Sequence, residues 1–309
     1  MTTTLITHAA CLAHDTGSGH PERSDRLRAV LQALDHDTFR ELDRREAPLA
    51  SLDELVRVHD ATYVDLILGN VPAHGHVMVD GDTVMSPGSG EAALRAAGAV
   101  CAAVDAVTTG AARNAFCAVR PPGHHAEPGR AMGFCLFNNV AVGAQHARAR
   151  HGMRRVAVID FDVHHGNGTQ AAFESDRDLF YASTHQSPLY PGTGDRNERG
   201  VGDNILNVPL PPGAGSDAFR HAIERDIVPA LDAFRPELVM ISAGFDAHRA
   251  DPLASLGLTE ADFAFATTAL CDVARRHAGG KVVSTLEGGY NLVALAASAA
   301  AHVKALMEG

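Results

Sequence analysis

The segment "VAVIDFDVHHGNGTQ", residues 156–170, changes character halfway along. Val156–Ile159 is an apolar run of the kind that lies buried in a sheet. It is followed by Asp160, Asp162, His164, His165 and Asn167. In extended backbone, residues i and i+2 point the same way, so Asp160, Asp162 and His164 project to one side and His165 to the other. An Asp and a His on neighbouring same-side positions make an N/O pair suited to a borderline cation such as Zn²⁺. Asp246, which follows another apolar run, can supply a third ligand. Three protein ligands and one open position describe a catalytic zinc site rather than a closed structural one. A lone Asp after a strand would be a helix N-cap or a solvated loop residue. Asp-x-Asp-x-His-His directly after a buried run is read as metal-binding, and no Cys-based zinc spacing or HExxH competes with it.

Two further features carry chemistry. His124 and His125 stand in tandem in a loop shaped by Pro121, Pro122 and Gly123. Alone, such a pair is as often packed as functional; beside a metal motif it offers a general base. Tyr290 follows Gly288 and Gly289, which let the chain turn tightly and bring a phenol inward.

These residues need elements to hold them. Apolar runs at Leu5–Thr7, Ala115–Val119, Val156–Ile159, Leu179–Ala182, Leu238–Ile241 and Val282–Leu286 read as strands. Helical periods at Arg23–Leu34, Gly90–Thr108, Asn138–Arg150, Asp217–Phe234 and Glu260–His277 alternate with them. Continuous apolar strands alternating with amphipathic helices predict an α/β fold, a parallel sheet with helices on both faces. Most of the strands run into polar or Gly-rich loops, and ligands of open α/β sheets bind beyond the carboxyl ends of the strands. The loops are therefore expected to converge on one site. Nothing divides the chain compositionally, so residues 1–309 are read as one domain.

The 309 residues are 46% hydrophobic and 20% charged, with a formal net charge of −11. The only lysines are Lys281 and Lys304 and no dense basic run occurs, which argues against a nucleic-acid partner. No apolar run reaches the roughly 18 residues of a membrane span, and the start is not a secretory signal. Five cysteines without a CxxC pattern read as reduced, structural thiols in a cytoplasmic protein.

Together, "HPERSDR", "RPPGHHA", "GFCLFNN", "DFDVHHGNGTQ", "AGFDAHRADPL" and "LEGGYN" resemble the histone deacetylase family, including its bacterial amidohydrolase and acetylpolyamine relatives. Asn167, where many members carry Asp, resembles the class II branch. The resemblance implies an arginase/deacetylase-like three-layer fold and zinc bound by Asp162, His164 and Asp246. It implies His125 as general base and acid for amide hydrolysis, with His124 largely electrostatic. Asp160 would pair with His124, and Asn167 with His125. Tyr290 would donate to the developing oxyanion, although a packed Tyr after a strand is the alternative. It further implies a structural K⁺ held by Asp160, Ser183 and Thr184 with backbone oxygens of Asp162 and His164. His165, His8, His14 and His185 are read as structural.

For the substrate, Gly133, Phe134 and Tyr190 match the family's channel walls, and Gly288 lies in the tyrosine loop. Leu253 stands at a rim position where a polyamine-selective branch carries Glu, which favours acyl-lysine over acetylated polyamine. Residues 69–90 are the expected rim loop, with Asp80 or Asp82 as a substrate anchor and His74 and His76 as bystanders. Arg23 matches a residue beneath the channel floor, or else forms a salt bridge at a helix start. Two other functions compete with this one: an arginase-like ureohydrolase, whose extra bridging carboxylates are missing here, and a non-catalytic acyl-lysine reader.

Overall fold

The computed structural model describes residues 2–309. Its strands, in chain order, are β1 (Thr3–Thr7), β2 (Asp43–Glu46), β3 (Val77–Met78), β4 (Val84–Met85), β5 (Asn114–Cys117), β6 (Val156–Asp160), β7 (Leu179–Gln186), β8 (Ile205–Leu210), β9 (Leu238–Ala243) and β10 (Val282–Leu286). Eight of them form one sheet in the order β2-β1-β5-β10-β9-β6-β7-β8, and every pairing in it is parallel. β3 and β4 make a separate antiparallel hairpin within the expected rim loop.

The central strands read as unbroken apolar runs because both their faces are covered by helices. Val156 to Ile159 and Leu238 to Ile241 are fully buried. Each expected strand is present. The two edge strands escape the apolar pattern for physical reasons. β2 reads Asp-Arg-Arg-Glu, the charged composition that protects an exposed edge. β8 contains Pro209, which an edge tolerates because one side needs no donor.

Of the expected helices, Glu260–His277 is found with the same bounds, and Ser24–Leu34, Ser89–Thr108 and Asn139–His151 differ at their ends by a residue. The period at 217–234 is interrupted by a π-helical turn, Ala222–Ile227. Pro229 follows it and cannot donate to the helical ladder, which accounts for the local rewinding. A C-terminal helix, Leu292–Glu308, joins the layer formed with Ser24–Leu34 and Glu260–His277.

The sheet order creates the site. The chain lays down β5 beside β1, then starts β6 three positions further along, leaving room for two strands. β9 and β10 later fill that gap. Loops leaving β5, β10, β9 and β6 thus emerge side by side at the carboxyl edge, the crevice where such sheets bind ligands.

Candidate active site

Asp162 and His164 leave the end of β6, and Asp246 leaves the adjacent β9. His164 Nδ1 lies 3.1 Å from Asp162 Oδ1 and 3.2 Å from Asp246 Oδ2. The three donor atoms lie within 4.8 Å of one another and all three residues are buried. Such spacing suits ligands that share one cation at about 2.0–2.2 Å each. Gly288, after β10, donates its N–H to Asp162 Oδ2 at 2.8 Å. A Cβ there would strike the carboxylates of Asp246 and Asp162, so the position requires glycine. Val163 N–H donates to Asp246 Oδ1 at 2.8 Å, leaving Oδ2 facing the imidazole.

The tandem histidines from the β5 loop stack with ring centroids 4.0 Å apart, yet their electrostatics diverge. Burial alone would depress His124, but the nearby carboxylates of Asp160 and Asp162 override it and raise His124 to about 10. Its Nδ1 meets Asp160 Oδ2 at 2.8 Å. His125 is pushed well below the ordinary range by burial, then by the charges of His124 and His164. Its Nδ1 meets Asn167 Oδ1 at 2.9 Å. Asn167 is itself oriented, because its Nδ2 donates to Glu127 Oε1 at 2.7 Å. Its oxygen must therefore face His125, which places the proton of the neutral imidazole on Nδ1 and leaves Nε2 as a free base.

Beside the Asp162–His164–Asp246 triad is a cavity of about 200 Å³ lined by His125, His164, Gly133, Phe134, Tyr190, Leu253 and Tyr290, with Asp82 and Leu189. It is smaller than typical ligand pockets of about 300–1,000 Å³, a size for one slender chain. Gly133 and Phe134 both hold positive φ, 57° and 68°. For glycine this is free; for phenylalanine it is strained, and the strain aims the ring into the cavity wall 5.9 Å from the Tyr290 ring. The expected rim loop reaches the same wall: Asp82 Oδ1 accepts the Gly133 N–H at 3.1 Å. Asp80 instead pairs with Arg130 at 3.2 Å. His74 and His76 are exposed.

The potassium set is brought together only in part. Asp160 lies beside Ser183 in register, and its Oδ1 accepts the Asp162 N–H at 3.1 Å. Its Oδ2 takes His124 and the Tyr181 hydroxyl, and the Ser183 hydroxyl contacts His185 Nδ1 at 2.9 Å. Thr184 is buried in β7. His165 bonds Thr193 and Gln170, consistent with a structural role.

Arg23 is not beneath the channel. It is about half exposed and pairs with Asp25 at 3.4 Å, the salt bridge at the helix start. Arg26, three residues on in the same motif, is the buried arginine. Arg23 is the extended N-cap residue, at φ −141° and ψ 161°, ahead of the helix, whereas Arg26 lies in the first turn of Ser24–Leu34 on its buried face. Its guanidinium donates to Gly289 O and Glu287 O at 2.5 Å each and to Glu22 Oε1 at 2.9 Å, and lies 4.9 Å from the Tyr290 ring centroid. Glu22 also takes two bonds from Arg120, at 2.5 and 2.7 Å.

Two further contributors escape a reading of the sequence. Glu287 Oε2 accepts the N–H groups of Gly123 and His124 at 2.7 and 3.2 Å, and burial raises Glu287 to about 7. Asp251 accepts the N–H of Leu253 on Oδ1 at 3.0 Å and that of Tyr290 on Oδ2 at 2.7 Å. Both act through backbone of distant segments, which no local motif signals. Glu287 does lie inside "LEGGYN" and Asp251 inside "AGFDAHRADPL", so their motifs mark the places without their roles.

A strand-end triad of Asp, His and Asp, set at a narrow cavity and beside paired histidines, is an arrangement that could hold a metal ion for hydrolysis. A family model described as the histone deacetylase domain matches residues 20–306. The chain is 46% identical over 280 residues to the histone deacetylase-like amidohydrolase of Pseudomonas aeruginosa, covering 89% of this chain and 73% of that protein. A probable deacetylase of Archaeoglobus fulgidus is 38% identical, over 94% of this chain and 82% of its own length. The crystal structure of the HDA15 HD domain superposes with a TM-score of 0.94 at 37% identity, covering 99% of this chain and 88% of that one. The chain belongs to the histone deacetylase family and is a hydrolytic deacetylase of its arginase/deacetylase-like α/β fold. No helix among the described residues is long and apolar enough to cross a membrane.

Proposed function

We propose that this chain is a zinc-dependent amidohydrolase that removes acetyl groups from acylated lysine side chains. The observation that carries the substrate class is the cavity. It is slender, walled by Phe134, Tyr190 and Leu253, and reaches His125 and His164. An aliphatic lysine stem fits such walls, and Leu253 presents no charge for a second ammonium.

The residues fit zinc. Buried carboxylates of Asp160, Asp162, Asp246 and Glu287 outnumber the imidazolium charges of His124 and His164, so the centre carries surplus negative charge that a divalent cation would balance. Zinc held by Asp162, His164 and Asp246 supplies Lewis acidity and a lowered water pKa. The protein then supplies the proton traffic. His125 Nε2 takes the water proton, with Nδ1–H held on Asn167, and returns it to the departing amine. His124, kept cationic by Asp160, stabilises the negative charge that develops. Tyr290 donates its hydroxyl to the oxyanion while Asp251 fixes its backbone. Arg26 holds the carbonyls of Glu287 and Gly289 and so sets the turn that carries Tyr290. A structural K⁺ held by Asp160, Ser183 and Thr184 is part of this reading, supported by the register of Asp160 with Ser183. The five free, buried cysteines support a reduced, cytoplasmic setting.

A second reading, acetylpolyamine hydrolysis, is favoured by one observation: Asp82 borders the same cavity and offers a carboxylate to an ammonium. Acetate release from an acetyl-lysine peptide and from an N-acetylated polyamine, measured side by side on zinc-loaded protein, separates the two. The expected result is a preference for the peptide. A strong preference for the polyamine overturns the lysine reading and makes Asp82 the selector.

A further inference from the structure

His146, far from the catalytic centre in the helix Asn139–His151, is buried between two carboxylates. Its Nε2 lies 2.8 Å from Asp105 Oδ1, and its Nδ1 lies 3.0 Å from Glu54 Oε1. His151, the last residue of the same helix, brings Nε2 to 2.6 Å from the same Asp105 oxygen. The Nδ1 contact is too poorly aligned to be a hydrogen bond, and that nitrogen has no other partner among the described residues. A neutral imidazole carries one proton, yet this one faces a carboxylate oxygen at each nitrogen. One of the two gaps therefore calls for an additional cation, either a second proton or a metal ion.

We propose that Asp105, His146 and His151 form a second divalent-metal site, at the edge of the sheet opposite the catalytic centre. Their ligand atoms lie within 4.8 Å of one another. Two imidazole Nε2 atoms and one carboxylate are a ligand set that Zn²⁺ and its neighbours share. The Asp105 side chain is 50% exposed, which leaves the remaining coordination positions to water and gives the ion a way in. Glu54 completes the arrangement from behind. Metal-bound histidines commonly direct the other ring nitrogen at a carboxylate, which fixes the tautomer. Glu54 is held in position to play that part. Its Oε2 accepts the N–H and hydroxyl of Ser51 in a capping box, and its Oε1 faces His146. The ligands belong to Ser89–Thr108 and Asn139–His151, so the ion would clip together the ends of two helices that lead into β5 and β6.

Glu54, Cys101 and His146 are also mutually close, on the Nδ1 side. That side is a poorer host. Coordination needs a thiolate, and burial together with Glu54 and Asp105 raises the Cys101 thiol well above its ordinary value. The Nε2 side is therefore the assigned one.

The test is zinc content per chain after equilibration with Zn²⁺ and removal of free metal, measured on wild type, Asp105→Asn, His151→Ala and Cys101→Ser. Asp105→Asn keeps the side-chain shape, so folding is preserved if His151→Ala proves unstable. Asp105→Asn and His151→Ala should each hold one equivalent less than wild type with deacetylation of an acetyl-lysine peptide unchanged, and Cys101→Ser should match wild type. A weak catalytic site lowers all four proteins equally and leaves the difference intact. Equal zinc in wild type and Asp105→Asn overturns the proposal. Loss of one equivalent in Cys101→Ser also overturns it, by moving the ion to the other nitrogen.

Discussion

Around Tyr290, two groups of buried charge meet. In one, Asp160, Asp162, Asp246 and Glu287 share the space with His124 and His164. In the other, Glu22 lies between Arg26 and Arg120, all three without exposure to solvent. The first has too few cations for its carboxylates. His164, which burial would lower, is instead raised to about 10 by its two Asp partners, while burial and the charge of Asp162 raise Asp246 to about 7. The second is closed. Despite burial, the two guanidinium groups hold Glu22 down at about 2. The cationic remainder there is taken up by the backbone carbonyls of Glu287, Gly289, Cys11 and His14. A buried cluster with a charge deficit is built to receive something. A buried cluster whose bonds are complete is built to hold something still, in this case the turn that carries Tyr290.

The contrast predicts opposite responses to losing one carboxylate. Asp246→Ala should reduce deacetylation by roughly 10,000-fold or more, because under the proposed mechanism it would take a ligand from the zinc that would activate water. In metal-free protein it should leave the melting temperature unchanged or higher, since it relieves carboxylate repulsion; a drop of several degrees would break the comparison. Glu22→Gln should do the reverse to stability. Two guanidinium groups would lose their buried partner, a loss of about 3–5 kcal/mol in denaturant unfolding. The pH dependence follows from the sign of the shift. Glu22 has a folded value below its unfolded one, so its contribution is complete above about pH 4.5 and is lost as pH falls towards about 2. Acid unfolding of wild type should therefore steepen in that window, and in Glu22→Gln the steepening should be absent.

Smaller effects sharpen the first cluster. Tyr290→Phe should lower kcat by about 100- to 1,000-fold, the worth of one oxyanion donor, with substrate affinity retained; unchanged kcat would remove Tyr290 from the chemistry. Asn167→Asp should move the acidic limb of kcat/KM to higher pH by roughly one unit, because a carboxylate on Nδ1 favours imidazolium where the amide does not. An unmoved limb would mean that His125 is not the base that titrates there.

Much of this is legible in the chain because it is contiguous. Val156–Ile159 followed by Asp-x-Asp-x-His states a strand, its direction and two candidate ligands in nine residues. Asp246 and the tandem histidines can be placed because each follows an apolar run of its own. What escapes depends on facing rather than type. Arg23 and Arg26 are the same residue type three positions apart, and only the folded chain shows that Arg23 stays extended before the helix while Arg26 turns inward from its first turn. β2 is charged because it is an edge, and so its composition hides it. Glu287 and Asp251 bind N–H groups that any sequence carries, which leaves no pattern to read.

Asp251 has a consequence for how this enzyme could change. One oxygen of its carboxylate holds the N–H of Leu253 and the other holds that of Tyr290, and both residues line the cavity. The residue that, in the proposed function, would discriminate among substrates and the one that would assist catalysis thus hang from one side chain. A lineage drifting towards new amines through position 253 would shift the phenol as it went. Specificity and turnover in this chain are therefore expected to evolve as linked traits, with compensating changes gathering at residue 251.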